Sequence, residues 1–94
     1  DLSQGNIFTI TLNASGVSFT FTNPPPAGTA CYIAVLITQG SGGSKSYGSF
    51  TNSRWTDSAT PTLTTTAGKT DMLSFMTVDG GSNYYGSFSG ANFG

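Results

Sequence analysis

The chain has 94 residues, and its only charged side chains are Asp1, Asp57, Asp71 and Asp79 against Lys45, Arg54 and Lys69, for a net charge of −1. That length supports one domain over residues 1–94 with a modest core; so little charge provides neither the basic face that nucleic acid requires nor a polybasic patch for anionic lipid. With no His and one cysteine, Cys31, the composition excludes a histidine-based triad, a His/Cys metal centre and an internal disulfide.

Phe8, Ile10 and Leu12 alternate with Thr9 and Thr11, the period of a half-buried strand. Residues 13–16 are a turn cluster, and Val17, Phe19 and Phe21 then alternate with Ser18, Thr20 and Thr22. The pattern predicts a hairpin of these two strands. Pro24, Pro25 and Pro26 end it, because three prolines remove three backbone donors. Residues 31–38 read Cys-Tyr-Ile-Ala-Val-Leu-Ile-Thr, apolar on both alternating faces, which predicts a central strand covered on both sides. The apolar run at residues 30–37 is of strand length, and no run of eighteen apolar residues is present.

After the Gly/Ser turn at residues 40–44, a weak strand with Tyr47 and Phe50 is expected over 46–51. Residues 52–60 read as an irregular segment holding Arg54 and Trp55, and the Thr-rich stretch 61–66 as an edge strand. Residues 71–78 predict a strong strand, 79–83 a hairpin turn, 84–88 the last strand and 89–94 a tail. In the turn, Asp79, Gly80 and Gly81 are structural: glycine supplies positive φ at little cost, and the Asp side chain accepts from nearby backbone. Its alternating oxygens also suggest a calcium loop, but such a loop needs more carboxylates than this one has. The sum is an all-β chain: a small antiparallel β-sandwich or jelly-roll-like barrel of six to eight short strands.

No pair of carboxylates stands out for acid–base work, since Asp57, Asp71 and Asp79 all lie in turn contexts, where Asp caps its own backbone. The expectation is therefore no enzyme, no metal and no cofactor. Trp55, Tyr84, Tyr85 and Tyr47 are the candidate ligand or interface aromatics. Trp55, Tyr84 and Tyr85 suggest an aromatic platform for a sugar, with Asn52, Asn83 and Arg54 as hydrogen-bonding partners. Adjacent Tyr84 and Tyr85 must point to opposite faces of a strand, so one is core or interface and only the other is open to such a ligand.

Several segments carry a resemblance: Phe19-Thr20-Phe21-Thr22-Asn23-Pro24-Pro25 before Gly28-Thr29-Ala30, Trp55 before Ala59-Thr60-Pro61-Thr62-Leu63, Ala67-Gly68-Lys69-Thr70-Asp71, Asp79-Gly80-Gly81-Ser82-Asn83-Tyr84-Tyr85-Gly86 and the closing Asn92-Phe93. In that order and spacing, covering nearly the whole chain, they resemble a small β-domain of tail-fibre and appendage proteins of tailed bacteriophages, cyanophages among them. The resemblance implies a non-enzymatic virion structural module, in a tail fibre, appendage or head decoration. It also implies self-assembly, with a trimer as the first expectation, contacts with other virion proteins, and a host-surface glycan as a further partner. Because the chain starts at Asp1, it is expected to be a processed product or a segment of a longer polypeptide. A carbohydrate-binding module of a secreted protein and a subunit of an extracellular filament or surface layer are the alternatives, the latter two secreted or at a cell surface. Neither nucleic acid nor membrane insertion is expected.

Overall fold

A computed structural model describes residues 1–3 and 5–94, the side chain of Asp57 excepted, so the expected capping role of Asp57 lies outside the described residues. Seven strands follow in chain order: β1 (Ile7–Leu12), β2 (Val17–Phe19), β3 (Cys31–Gln39), β4 (Tyr47–Phe50), β5 (Ser53–Trp55), β6 (Thr70–Thr77) and β7 (Tyr84–Phe93). One 3₁₀ turn, Thr56–Ser58, follows β5. The chain is all-β: a five-stranded mixed sheet in the order β1-β3-β6-β7-β5 and a two-stranded sheet of β2 and β4.

The period-two pattern decides which side chains enter the core. Register pairs Phe8 with Val35 and Ile10 with Ile37, then Val35 with Leu73 and Ile33 with Phe75, so one face of the large sheet is a continuous apolar surface. Leu12, Ile33, Val35, Ile37, Leu73 and Phe75 are buried there. The small sheet supplies the aromatic cover. Phe50 lies 5.0 Å from Phe19 and 4.9 Å from Phe75, ring centroid to ring centroid. Phe21, just beyond β2, sits 5.1 Å from Phe75 and 4.8 Å from Tyr84. Such offset and edge-on pairs add stability beyond their buried area.

Several expectations are corrected. β1 and β2 form no hairpin: β1 pairs in parallel with β3, and β2 in parallel with β4. Residues 13–16 carry the chain from one sheet to the other, so Phe8 and Ile10 on one layer and Phe19 and Phe21 on the other pack against the same core through side chains rather than share a ladder. Alternation is the same for either arrangement, and only the second closes a core between two layers. With β5–β7 also parallel, the architecture is mixed rather than antiparallel, and because edges β1 and β5 are not joined it is not a closed barrel.

Four more corrections concern extent. β3 is covered on one side only: Ile33, Val35 and Ile37 are buried, while Tyr32 is exposed and Ala34 and Leu36 are half-buried. The stretch 61–66 is not a strand. Thr65 O accepts from Ser44 N (2.7 Å) and Thr64 N donates to Asp71 Oδ2 (2.5 Å), so its backbone is held by a loop and a side chain instead of a ladder. Part of 52–60 is ordered as β5, with Ser53 opposite Tyr84. The expected tail at 89–94 is largely the second half of β7, which continues to Phe93 through two register shifts, the first leaving Ser89 as an extra residue and the second lying between Gly90 and Phe93.

Candidate functional site

The hairpin between β6 and β7 sets the geometry of everything near Tyr84 and Tyr85. Gly80 (φ 70°) and Gly81 (φ 87°) make the turn. The Asp79 carboxylate accepts from Asn83 N (3.0 Å), Asn83 Nδ2 (3.0 Å) and Thr77 Oγ1 (3.1 Å). These bonds, those from Asn83 first, hold its carboxyl below the usual carboxylate range. The side chain of Asp79 is engaged by its own turn, and no cluster of three or more His, Cys, Asp or Glu is present among the described residues.

The four candidate aromatics do not share one surface. Tyr84 points inward and is buried against Phe21, and that burial raises its hydroxyl above the usual value. Tyr47 also lies against the core, 5.5 Å from Phe50, and donates to Pro61 O (3.0 Å); burial raises its hydroxyl too. Trp55 is on the inner side, edge-on to Phe75 at 5.3 Å, with Nε1 donating to Ser53 Oγ (3.2 Å). Its ring lies over Gly86, where any side chain would collide with it at 2.6 to 2.8 Å. A platform of Trp55, Tyr84 and Tyr85 is therefore ruled out by strand parity, and Asn52 and Asn83, read as partners for a sugar, are occupied by Gly81 O and Asp79.

Of the four, Tyr85 alone faces outward, and two of its neighbours, Tyr32 and Met76, were missed by sequence reasoning. Tyr32 is opposite Met76, Met76 opposite Tyr85, and Tyr85 opposite Arg54. The four form one rung across β3, β6, β7 and β5. Tyr32, Met76 and Tyr85 are 59 %, 41 % and 51 % exposed. The next rung runs Ile7, Ala34, Ser74, Ser87. Ser74 Oγ and Ser89 Oγ are 2.6 Å apart. Farther along, Leu36 and Met72 are half-buried and the exposed ring of Phe93 lies against Gly90. Arg54 is the one charge on these rungs. The available signal was the even-numbered face of residues 31–38, which carries Tyr32 rather than another branched aliphatic.

Grooves open elsewhere among the described residues. One of about 470 Å³ lies beside Trp55, Pro61 and Phe88. One of about 240 Å³ lies between Tyr47 and Pro61. A third, about 200 Å³ and mainly apolar, opens between the sheets along β1. Two buried polar groups tie loops down. Asp71, 2 % exposed, accepts from Thr64 N (2.5 Å) and Asn92 N (2.9 Å). Gln39 brackets Lys45, donating to its O (2.6 Å) and accepting from its N (3.2 Å). Comparison of the chain with protein-family models, curated proteins and solved structures gives no match.

Proposed function

We propose that this chain is a non-enzymatic structural module of a virion, within a tail fibre, appendage or head decoration, that works by assembling with copies of itself. Its two facing layers are read as a small β-sandwich. The observation that carries the proposal is the outer face of the large sheet, where Tyr32, Met76 and Tyr85 stand exposed in one rung, with exposed Ile7 in the next rung and exposed Phe93 at the far end of the same face. An apolar surface backed by a rigid sheet is unusual on a monomer and marks an interaction site. Tyrosine and methionine are enriched at interfaces.

Size supports the same reading. Five strands about 4.8 Å apart and an eight-residue β6 of about 26 Å give a face of roughly 600 Å². Two such faces together bury about 1,200 Å², the lower bound of a specific interface. The virion assignment rests on the resemblance of the motif series. That Asp71 and Asp79 both direct their oxygens to backbone amides supports a non-enzymatic role. Light scattering coupled to size exclusion tests the proposal. The native chain is expected as a homo-oligomer, and Tyr32→Ser with Tyr85→Ser as a folded species of lower association. A native chain that stays monomeric at high micromolar concentration overturns it.

One observation favours a second reading, a glycan-binding surface. Tyr32 and Tyr85 flank Met76 on a flat face with Arg54 at its end, which offers aromatic faces and a donor to a sugar chain. Glycan-array binding that is lost in Tyr85→Ser while the chain remains monomeric selects it.

A further inference from the structure

The two edges of the large sheet are unlike. β5 presents three residues before the chain turns into Thr56–Ser58. β1 presents six, Ile-Phe-Thr-Ile-Thr-Leu, in unbroken register with β3 from Ile7 opposite Ala34 to Leu12 opposite Gln39. Two bonds determine which of its backbone groups are free: Ala34 N donates to Asn6 O (3.0 Å), and Gly40 N donates to Leu12 O (2.9 Å). Alternate residues of a strand direct both backbone groups to the same neighbour. The even-numbered residues of β1 therefore face β3, and Ile7, Thr9 and Thr11 direct their N–H and C=O groups outward.

Sheet edges are normally guarded by proline, lysine, an inward charge or a bulge. β1 has none of these. Beneath the same edge lies the 200 Å³ groove, lined by Phe8, Ile10, Phe19, Phe21, Val35 and Phe50. Backbone pairing and apolar packing are thus both left open on one side of the molecule. The Asp1 carboxylate at the groove is engaged by Ser3 N, Ser3 Oγ and Asn23 Nδ2.

We propose that β1 of one copy pairs antiparallel with β1 of a second copy across a two-fold axis, joining two five-stranded sheets into one. The inference rests on the self-assembly reading and assigns it a contact. The strand is complementary to itself. With Thr9 opposite the partner's Thr9, Ile7 falls opposite the partner's Thr11, so every outward N–H and C=O of the three residues meets its counterpart. The same register sets Phe8 beside the partner's Ile10 on the inner side, and the two grooves close against each other. β1 carries no charge, so antiparallel self-pairing opposes no like charges.

Proline separates the outward from the inward backbone. At Thr9 it removes only an outward donor, which an edge strand tolerates, whereas at Ile10 it removes a donor turned toward β3. Sedimentation, circular dichroism and amide hydrogen exchange of the full chain give the test. The expected result is a native oligomer, a folded Thr9→Pro of lower association that keeps only contacts outside the β1 edge, and an unfolded Ile10→Pro. In the native chain, the Thr9 and Thr11 amides become protected as concentration rises, and this exchange readout stands even if Thr9→Pro does not fold. An oligomer in which those amides exchange freely, or which Thr9→Pro leaves intact, overturns the edge pairing while self-assembly stands. A native monomer at high micromolar concentration overturns the self-assembly reading itself. Protection that appears only when another virion protein is added overturns the second copy as occupant.

Discussion

The two faces of β3 and β6 belong to the same strands and differ in what they bury. Inward, Ile33, Val35, Leu73 and Phe75 are essentially free of solvent. Outward, Tyr32, Ala34, Leu36, Met72, Ser74 and Met76 alternate with them, and only Ser74 is fully buried. The inner row is the more hydropathic, and side-chain type separates the two rows as well. Branched aliphatics and phenylalanine have no polar atoms and few rotamers, which suits a dry core that must adopt one packing. Tyrosine, methionine and serine tolerate both water and a partner, through a hydroxyl or a flexible thioether. A strand that is apolar on both sides can thus serve the core with one face and an interface with the other.

The sharpest way to break that contrast is at its centre. Phe75→Ala removes the ring that touches Phe21, Phe50 and Trp55, and should cost about 3–5 kcal/mol in denaturant unfolding, a large share of the stability of so small a domain. Asp71→Ala tests the polar exception on the inner side. It strands the amides of Thr64 and Asn92 and should cost about 3 kcal/mol. The outer face should behave differently. Tyr85→Ser, measured at a concentration where the chain is monomeric, should stay within about 0.5 kcal/mol of the native chain while weakening association. A monomer destabilised as much by Tyr85→Ser as by Phe75→Ala would erase the distinction.

The smallest effect is expected at the turn that joins β6 to β7 beneath both faces. Asp79 is held ionised by Asn83 and Thr77, so its folded pKa lies below its unfolded value. The stabilisation is therefore present above about pH 4, the unfolded value, and is lost as the pH falls through the folded value. Melting curves of the native chain and Asp79→Asn should differ at neutral pH and converge on acidification. Association through the outer face should be unaffected by this substitution.

Much of the fold was legible in local chemistry. Asp79, Gly80 and Gly81 specify a tight turn because few residues adopt positive φ, and the alternation of Phe8, Ile10 and Leu12 marks the inward face of β1 wherever β1 pairs. Pairing itself was not legible. A strand followed by a turn and another strand has the same pattern whether the two share a ladder or face each other across a core. The parallel partners of β1, β2 and β5 lie 27 to 31 residues away, beyond any local signal. β7 was cut short because Gly90 interrupts its pattern, although that glycine is where the Phe93 ring settles. Of the candidate site, Tyr85 and Arg54 were identified, and Tyr32 and Met76 were not, because those two become neighbours of Tyr85 only through register.

The strand order has a consequence for how the chain comes to be folded. The β6–β7 hairpin is the one pairing between consecutive strands in the large sheet, so it is the piece that closes quickly, on the microsecond scale of hairpins. Every other ladder must wait for it or for a long loop to close, which is slow in proportion to sequence separation. Because β3 pairs with β6 and β5 with β7, a chain growing from its N-terminus has only the β1–β3 and β2–β4 ladders to form until Thr70–Thr77 and then Tyr84–Phe93 have emerged from the ribosome. During that interval the inner faces of Ile7–Leu12 and Cys31–Gln39 lack the cover of Leu73, Phe75 and Tyr84, and apolar strands exposed in this way are prone to aggregate.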